Sequence, residues 1–145
     1  MSSSRLFNWP WPNNPAEELL QKARVASERA YSPYSNFKVG AALLTAGGNV
    51  FLGCNVENAS YGLTLCAERN AVAAMVVMGY LDPVAIAVVG GYTNAPCPPC
   101  GACRQVLAEF NRDMYVVLES PGRVIVMTIN ELLPVSFSMP ERKGL

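Results

Sequence analysis

Histidine, the commonest metal ligand and general base in proteins, is absent from this 145-residue chain. Any metal bound here must therefore be held by sulfur or by carboxylate groups. The chain also lacks an excess of one sign of charge, because eleven basic residues balance eleven acidic ones. This balance argues against a nucleic-acid partner and against an anionic membrane surface, both of which favour basic proteins.

Long apolar runs are missing as well. No stretch reaches the ~20 apolar residues that a membrane-spanning helix needs, and the initial MSSSR is not followed by the apolar core of a signal peptide. We therefore expect a cytoplasmic protein with no membrane partner. In that compartment the five cysteines are expected to be thiols or metal ligands rather than disulfides.

Charged residues make up only 15% of the chain and hydrophobic residues 51%, so the composition predicts a folded protein. The length indicates one domain with its own core. Residues 1–15 contain repeated prolines, which are incompatible with a helix. We predict an irregular N-terminal arm over residues 1–15 and a single domain over residues 16–145.

Helical and strand patterns alternate along that domain. Apolar spacing predicts helices over 16–30, 66–78 and 102–110, and a helical turn over 130–133. Strands are predicted over 39–45, 50–55, 84–89, 114–119 and 124–128, the first two forming a hairpin at a Gly-Gly-Asn turn. This alternation indicates an α/β layered fold around one mixed sheet.

Three cysteines have the spacing of an open zinc site. Cys100 and Cys103 form a C-x-x-C pair at a predicted helix start, so two sulfur atoms can reach one tetrahedral ion. Cys66 begins another predicted helix, and helix N-termini favour the thiolate. Three protein ligands leave a fourth position for water, which is typical of a catalytic site.

Glu68 follows Cys66 by two residues, where a carboxylate can take a proton from zinc-bound water and deliver it to a substrate. Three thiolates would leave the Zn²⁺ site with a net charge of about −1, which weakens the ion as a Lewis acid. We expect Arg69, rather than Arg104, to donate hydrogen bonds to the thiolates. The alternative is that both arginines form ordinary ion pairs.

A C-x-x-C pair is also found in redox dithiols and structural zinc knuckles. In a knuckle, Cys97 or Cys54 would be the fourth ligand. We interpret Cys97 as inert, because a closed four-cysteine site would leave Glu68 without a purpose, and Cys54 as a small core residue in an apolar strand.

The segments CAE (66–68) and PCGAC (99–103) resemble the three-cysteine variant of the zinc nucleobase deaminase signature. YSNFKVGAA (34–42), GCNVENA (53–59), CAER (66–69) and CRQVL (103–107) extend the match. As a set they resemble the small homotetrameric cytidine deaminases, over residues 16–139. The resemblance implies a three-layer αβα sandwich around a mixed five-stranded sheet, with one Zn²⁺ per subunit.

The resemblance also implies roles for individual residues. Cys66, Cys100 and Cys103 would bind zinc, and Glu68 would shuttle protons. Six further residues would contact the nucleoside: Asn55 and Glu57 at the ribose hydroxyls, Phe37 on the pyrimidine, Ala59 and Tyr61 from a neighbouring subunit, and Phe137 closing over the base from another.

We therefore predict a cytidine deaminase, a hydrolase that converts cytidine and 2′-deoxycytidine to uridine and 2′-deoxyuridine with release of ammonia, acting in pyrimidine salvage as a homotetramer. One alternative is the same reaction on a related cytosine nucleoside, such as a nucleoside antibiotic. The other is a non-catalytic zinc-stabilised interaction module, which would have four cysteine ligands.

Overall fold

The structure, a computed structural model, describes residues 15–91 and 95–140. Within those ranges, four α-helices flank five strands. The strands are β1 (Val39–Thr45), β2 (Val50–Cys54), β3 (Pro83–Gly90), β4 (Tyr115–Ser120) and β5 (Arg123–Thr128). The helices are α1 (Pro15–Ser27), α2 (Ala67–Val77), α3 (Gly101–Phe110) and α4 (Ile129–Leu132), and a 3₁₀ turn spans Tyr61–Leu63.

Each element predicted from the sequence is present, with bounds that differ by three residues or fewer. The predicted arm over residues 1–15 lies outside the described residues, except that Pro15 is already the first residue of α1. Proline is favoured at that position because the first helical N–H has no partner in the helix. Cys66 and Cys100 are the N-cap residues of α2 and α3 rather than members of those helices.

The five strands form one mixed sheet in the order β2-β1-β3-β4-β5. Neighbouring strands run antiparallel except β3 and β4, which are parallel and are connected through α3. A parallel connection needs a crossover, which the helix provides. The predicted mixed five-stranded sheet is thereby confirmed.

Helices cover both faces of this sheet. Side chains of β1 alternate between the faces, as the two-residue period of a strand requires. Ala42 and Leu44 pack in a buried cluster with Leu19 and Leu20 of α1. On the opposite face, buried side chains of α2, α3 and α4 join the other set of sheet residues, which includes Ala41, Leu43, Ile86 and Val116. This arrangement is the predicted αβα sandwich.

Two glycines bring helix backbone directly against strand backbone. A Cβ atom at Gly40 would lie 2.0 Å from the carbonyl oxygen of Ala23 in α1. A Cβ atom at Gly53 would lie 2.2 Å from the carbonyl oxygen of Ala67 in α2. Both distances are far below van der Waals contact, so each position requires glycine. The backbone of the first turn of α2, which follows Cys66, therefore packs directly against the backbone of β2.

Among the helices in the described part of the chain, none is long and apolar enough to cross a bilayer.

Candidate active site

Three of the five cysteines converge where α2 and α3 begin. The Sγ atoms of Cys66, Cys100 and Cys103 lie within 4.8 Å of one another, and those of Cys66 and Cys100 are 4.0 Å apart. Sulfur atoms bound to one tetrahedral zinc at ~2.3 Å are separated by roughly 3.8 Å. Three sulfur donors at this spacing therefore fit a zinc ion after only a small inward movement.

The helix starts supply the hydrogen bonds that a thiolate needs. Burial raises the pKa of Cys100, but hydrogen bonds from the backbone N–H groups of Cys103 and Ala102 and from neighbouring thiols together bring it below the usual value. Cys103 is fully buried, and its pKa is raised by that burial and then by the charge of Glu68. A cation among the three sulfurs would favour ionisation of Cys103, so the donor set is suited to Zn²⁺.

Arg69 lies against the thiol cluster. Its Nη2 donates to Cys66 Sγ at 3.5 Å and to the carbonyl oxygen of Thr64 at 3.4 Å. The hydrogen bond to Cys66 is the main reason why the pKa of Arg69 is raised. Its Nε is buried and has no hydrogen-bond partner within the described residues. The guanidinium of Arg69 therefore lies beside the Cys66 sulfur, where it can withdraw negative charge from a thiolate.

Arg104 donates to backbone carbonyl groups, whereas the sequence had suggested either thiolate contacts or an ion pair. Its Nε donates to the carbonyl oxygen of Pro99 at 2.8 Å, and its Nη1 donates to the carbonyl oxygen of Leu132 at 2.9 Å. The side chain therefore ties the backbone just before Cys100 to the end of α4. It holds the metal-ligand loop in place through main-chain contacts rather than through a thiolate or an ion pair.

Glu68 is buried in the first turn of α2, with only 4% of its surface exposed. Burial raises the pKa of its carboxyl group, while its own backbone N–H, a hydrogen bond with Cys103 and the charge of Arg69 act in the opposite direction. A desolvated carboxyl group with a raised pKa, next to a candidate metal site, is suited to exchange protons near neutral pH.

Cys97 lies outside the group of three thiols that could hold a metal. It is half-buried, and burial followed by the charges of Glu68 and Cys66 raises its pKa to about 11. The pKa of Cys103 is raised as well, so position rather than pKa separates the two thiols: Cys103 lies in the three-thiol group and Cys97 does not. Cys54, predicted to be a core residue, is only partly buried. The reason is topological: it ends β2, which is an edge strand of the sheet.

Asn55 links the end of β2 to the segment that enters β1. Its Nδ2 donates to the carbonyl oxygen of Phe37, and its Oδ1 accepts from the N–H of Val39, both at 2.8 Å. The side chain is buried, with 8% exposed. Since an amide has two N–H donors and two oxygen lone pairs, one of each is left for a ligand.

Glu57 is held by the turn that precedes Phe37. Its Oε1 accepts from the backbone N–H of Tyr34 at 3.0 Å and of Ser35 at 3.1 Å, while its Oε2 accepts from the Ser35 hydroxyl. These hydrogen bonds, the Ser35 hydroxyl first, lower the pKa of the carboxyl group. An open pocket of about 410 Å³ lies here, lined by Tyr34, Ser35, Glu57, Tyr61 and Thr64.

The predicted aromatic contacts differ in how far they are built into the fold. Phe37 is 38% exposed, and its ring packs on Gly91. The packing is close, because a Cβ atom added at Gly91 would lie 3.0 Å from the nearest ring carbon of Phe37. Tyr61 is 76% exposed and meets the ring of Tyr34 edge to face at a centroid distance of 6.1 Å. Phe137 is 70% exposed, and Ala59 is also on the surface.

The predicted residues therefore fall into three groups. The first is the thiol cluster with Glu68 and Arg69. The second consists of Phe37, Asn55 and Glu57, which are joined through the segment 34–39. The third consists of Ala59, Tyr61 and Phe137, which are exposed in this single chain, although Tyr61 also lines the pocket beside Glu57.

Sequence reasoning did not identify Ser35 and Asn70 as contributors to the site. Ser35 touches Glu57, and Asn70 Nδ2 donates to the carbonyl oxygen of Cys54 at 2.8 Å, which ties α2 to the end of β2. The signals for Ser35 were its place in a turn-forming Tyr-Ser-Asn run and in the segment YSNFKVGAA (34–42), which carries part of the resemblance. Asn70 gave a weaker one, an asparagine within a helix that is otherwise rich in alanine and valine.

Comparisons with known proteins agree with this geometry. The family model for the cytidine and deoxycytidylate deaminase zinc-binding region matches residues 13–119. The cytidine deaminase of Halalkalibacterium halodurans is 52% identical over 122 residues, covering 83% of this chain and 92% of that protein. The cytidine deaminase of Sporosarcina psychrophila is 48% identical over 124 residues, covering 84% of this chain and 90% of that protein.

Among solved structures, the crystal structure of cytidine deaminase from Burkholderia pseudomallei superimposes with a TM-score of 0.78 at 53% identity, covering 83% of this chain and 98% of that one. This chain belongs to the cytidine and deoxycytidylate deaminase family, whose zinc-binding region it contains.

Proposed function

We propose that the protein is a zinc-dependent cytidine deaminase, which hydrolyses cytidine and 2′-deoxycytidine to uridine and 2′-deoxyuridine and releases ammonia. The observation that carries the proposal is the buried carboxyl group of Glu68, which lies in the first turn of α2 directly after Cys66, one of the three clustered thiols. We further propose that residues 16–145 act as one deaminase domain.

In this proposal Cys66, Cys100 and Cys103 hold the zinc ion, and Cys97 stays outside the ligand set. Zinc bound there supplies a Lewis acid that makes water a stronger nucleophile near neutral pH. Arg69 supports the thiolates by donating to Cys66 Sγ, and it lowers the negative charge that three sulfurs place on the metal. Arg104 keeps Pro99, and with it the ligand loop, at a fixed distance from α4.

Glu68 moves the protons of the reaction. Its carboxylate accepts a proton from the attacking water and delivers it to N3 of the pyrimidine, while the water oxygen bonds to C4. The carboxylate, ionised again, then takes the second proton from the new hydroxyl group on C4 and delivers it to the amino group. The C4–N bond breaks, ammonia leaves, and the C4 oxygen becomes the carbonyl of the product. Burial raises the pKa of Glu68 toward the range in which it can both accept and donate a proton.

The sugar and the base are bound by the segment 34–39 and its partners. Glu57, whose pKa is lowered, stays ionised and accepts hydrogen bonds from ribose hydroxyls. Asn55 adds its remaining N–H and lone pair. Phe37 presents a partly exposed ring to the pyrimidine face.

The exposed residues Ala59, Tyr61 and Phe137 support a shared site. We propose that the protein is a homotetramer in which these residues reach the nucleoside bound by a neighbouring subunit. Large apolar side chains that a monomer leaves exposed, including Val77 and Leu63 at 79% and 66%, favour association. We also propose that the enzyme acts in the cytoplasm, in pyrimidine salvage.

The purified protein is expected to turn over cytidine and 2′-deoxycytidine, which is measured as loss of the cytosine absorbance. A panel that adds free cytosine and a cytosine nucleoside antibiotic separates the alternatives. Turnover of the antibiotic alone would replace the proposed substrate, and bound zinc without any turnover would favour the interaction module.

Replacing Arg69 with glutamine is expected to lower kcat/KM for cytidine by about 10–100-fold, the usual effect of removing a residue that supports metal ligands. Arg24→Gln is the matched control, because Arg24 pairs with Glu17 and Glu119 on the opposite face of the sheet. It should lower the melting temperature slightly and leave kcat/KM unchanged. Equal kinetic effects of the two substitutions would contradict the proposed role of Arg69.

A further inference from the structure

The hydroxyl group of Ser35 stands between two residues of the proposed substrate site. It donates to Oε2 of Glu57, and it accepts from the backbone N–H of Phe37 at 3.0 Å. The Ser35 side chain thus contacts the carboxylate of Glu57, which is assigned to the sugar, and the backbone of Phe37, whose ring is assigned to the base. Neither contact is needed for the core, because Ser35 is exposed.

The backbone of this turn is shaped to bring the hydroxyl there. Asn36 has a φ of 56°, the only positive value outside glycine among residues 15–91 and 95–140. Asparagine tolerates this left-handed conformation better than most residues. The N–H of Asn36 donates to the carbonyl oxygen of Ser32 at 2.9 Å, which closes the turn. The turn therefore has a defined conformation even though its side chains are exposed.

The far side of the same segment is also fixed. The carbonyl oxygen of Phe37 accepts from Asn55 Nδ2, and the N–H of Val39 donates to Asn55 Oδ1. Segment 34–39 is thus held at Asn36 by its hydrogen bond to Ser32, and at its far end by the side chain of Asn55. The Ser35 side chain connects the segment to Glu57.

We propose that Ser35 is a positioning residue that fixes the Glu57 carboxylate relative to Phe37, and thereby sets how strongly the enzyme distinguishes nucleosides by their sugar hydroxyls. This inference rests on the proposed function, because it requires Glu57 to bind the sugar. Without the hydroxyl, Oε2 loses its donor from the turn, and the carboxylate is held at Oε1 by two backbone N–H groups. It can then rotate about that attachment.

The charge state of Glu57 also supports a positioning role for Ser35. Charge-assisted hydrogen bonds are about twice as strong as neutral ones. The Ser35 hydroxyl is the largest cause of the lowered pKa of Glu57. The hydroxyl therefore interacts with the ionised carboxylate, the form that accepts hydrogen bonds from sugar hydroxyls.

The test compares cytidine with 2′,3′-dideoxycytidine, which has the same base and lacks the two hydroxyls. In Ser35→Ala, KM for cytidine is expected to rise up to about tenfold, because a carboxylate that is free to rotate must be ordered again when the sugar binds. The kcat should stay within about twofold, and KM for dideoxycytidine should hardly change. Ser35→Thr keeps the hydroxyl and should retain most of the affinity for cytidine.

A double-mutant cycle separates positioning from a general loosening of the turn. Added to Glu57→Gln, Ser35→Ala should have an effect of less than about twofold, because the residue it positions has already lost its charge. Ser120→Ala, at the end of β4, removes a hydroxyl elsewhere and should change nothing.

Equal losses with cytidine and dideoxycytidine, unchanged kinetics in Ser35→Ala, or additive effects in the cycle would overturn the inference while leaving the proposed function intact. A wild-type protein that does not turn over cytidine would overturn both. The two failures are therefore distinguishable from the wild-type assay alone.

Discussion

Substituting glutamine for Glu68 is expected to lower kcat/KM for cytidine by about 10³-fold, within the range that positioned general acid–base groups contribute. The glutamine has nearly the same shape but cannot accept a proton. The measurement is the initial rate of absorbance loss with purified protein, together with the zinc content of the same sample. Zinc is expected to remain bound, since the carboxyl group lies outside the three-thiol cluster.

The fold should tolerate this change. Burial raises the pKa of Glu68 above its usual value, which means that the ionised form opposes folding once the pH exceeds the ordinary carboxyl pKa. A neutral side chain removes that opposition, so the melting temperature at neutral pH should not fall. Glu109→Gln on the exposed side of α3 is the matched control and should keep full activity. A Glu68→Gln variant with more than about a tenth of wild-type activity is incompatible with the proposed proton transfers.

The second large effect concerns the metal. Cys100→Ser is expected to reduce bound zinc from about one ion per subunit to less than about a tenth of that after dialysis, with loss of activity, because one of only three protein ligands is removed. Cys100 is the most exposed of the three thiols, so its replacement opens no cavity in the core. Zinc is measured by elemental analysis of the dialysed protein, and activity by the cytidine assay.

The control uses a cysteine from the same loop. Cys97→Ala should retain zinc and activity, because the sulfur of Cys97 lies outside the three-thiol cluster. If Cys97→Ala lost zinc as completely as Cys100→Ser, the site would have four thiol ligands. The interaction module would then be the better description.

The fold could be predicted from the sequence because its signals are local. The strand over residues 39–45 follows from an apolar run, and the end of α2 follows from Gly79, which has a φ of 92°. The convergence of Cys66 with Cys100, which are 34 positions apart, was predicted from the known signature that the two cysteine segments resemble. The two helix starts and the Cys100–Cys103 spacing depend on neighbouring residues, which sequence patterns describe well.

Other features depend on which strands are neighbours, and no local pattern encodes that. Cys54 was expected in the core because its strand is apolar, but β2 is at the edge of the sheet. The hydrogen bond from Arg104 to Leu132 joins residues 28 positions apart, and the contact of Ser35 with Glu57 joins residues 22 apart. Such partners become visible only when the chain is folded, so the sequence left Arg104 open between thiolate support and an ion pair, and it did not indicate the contact of Ser35 with Glu57.

The two close approaches at Gly40 and Gly53 limit how this protein can vary. Most buried positions of the sheet, such as Leu43, can exchange one apolar side chain for another of similar volume. At Gly40 and Gly53 the neighbouring atoms are backbone atoms of a helix, which no rotamer change can move aside. In a library that randomises every buried position, selection for activity should return varied residues along β1 and β2 but glycine alone at 40 and 53. Evolution can therefore alter the packing of this sandwich, but it has little freedom to change the spacing of its layers at these points.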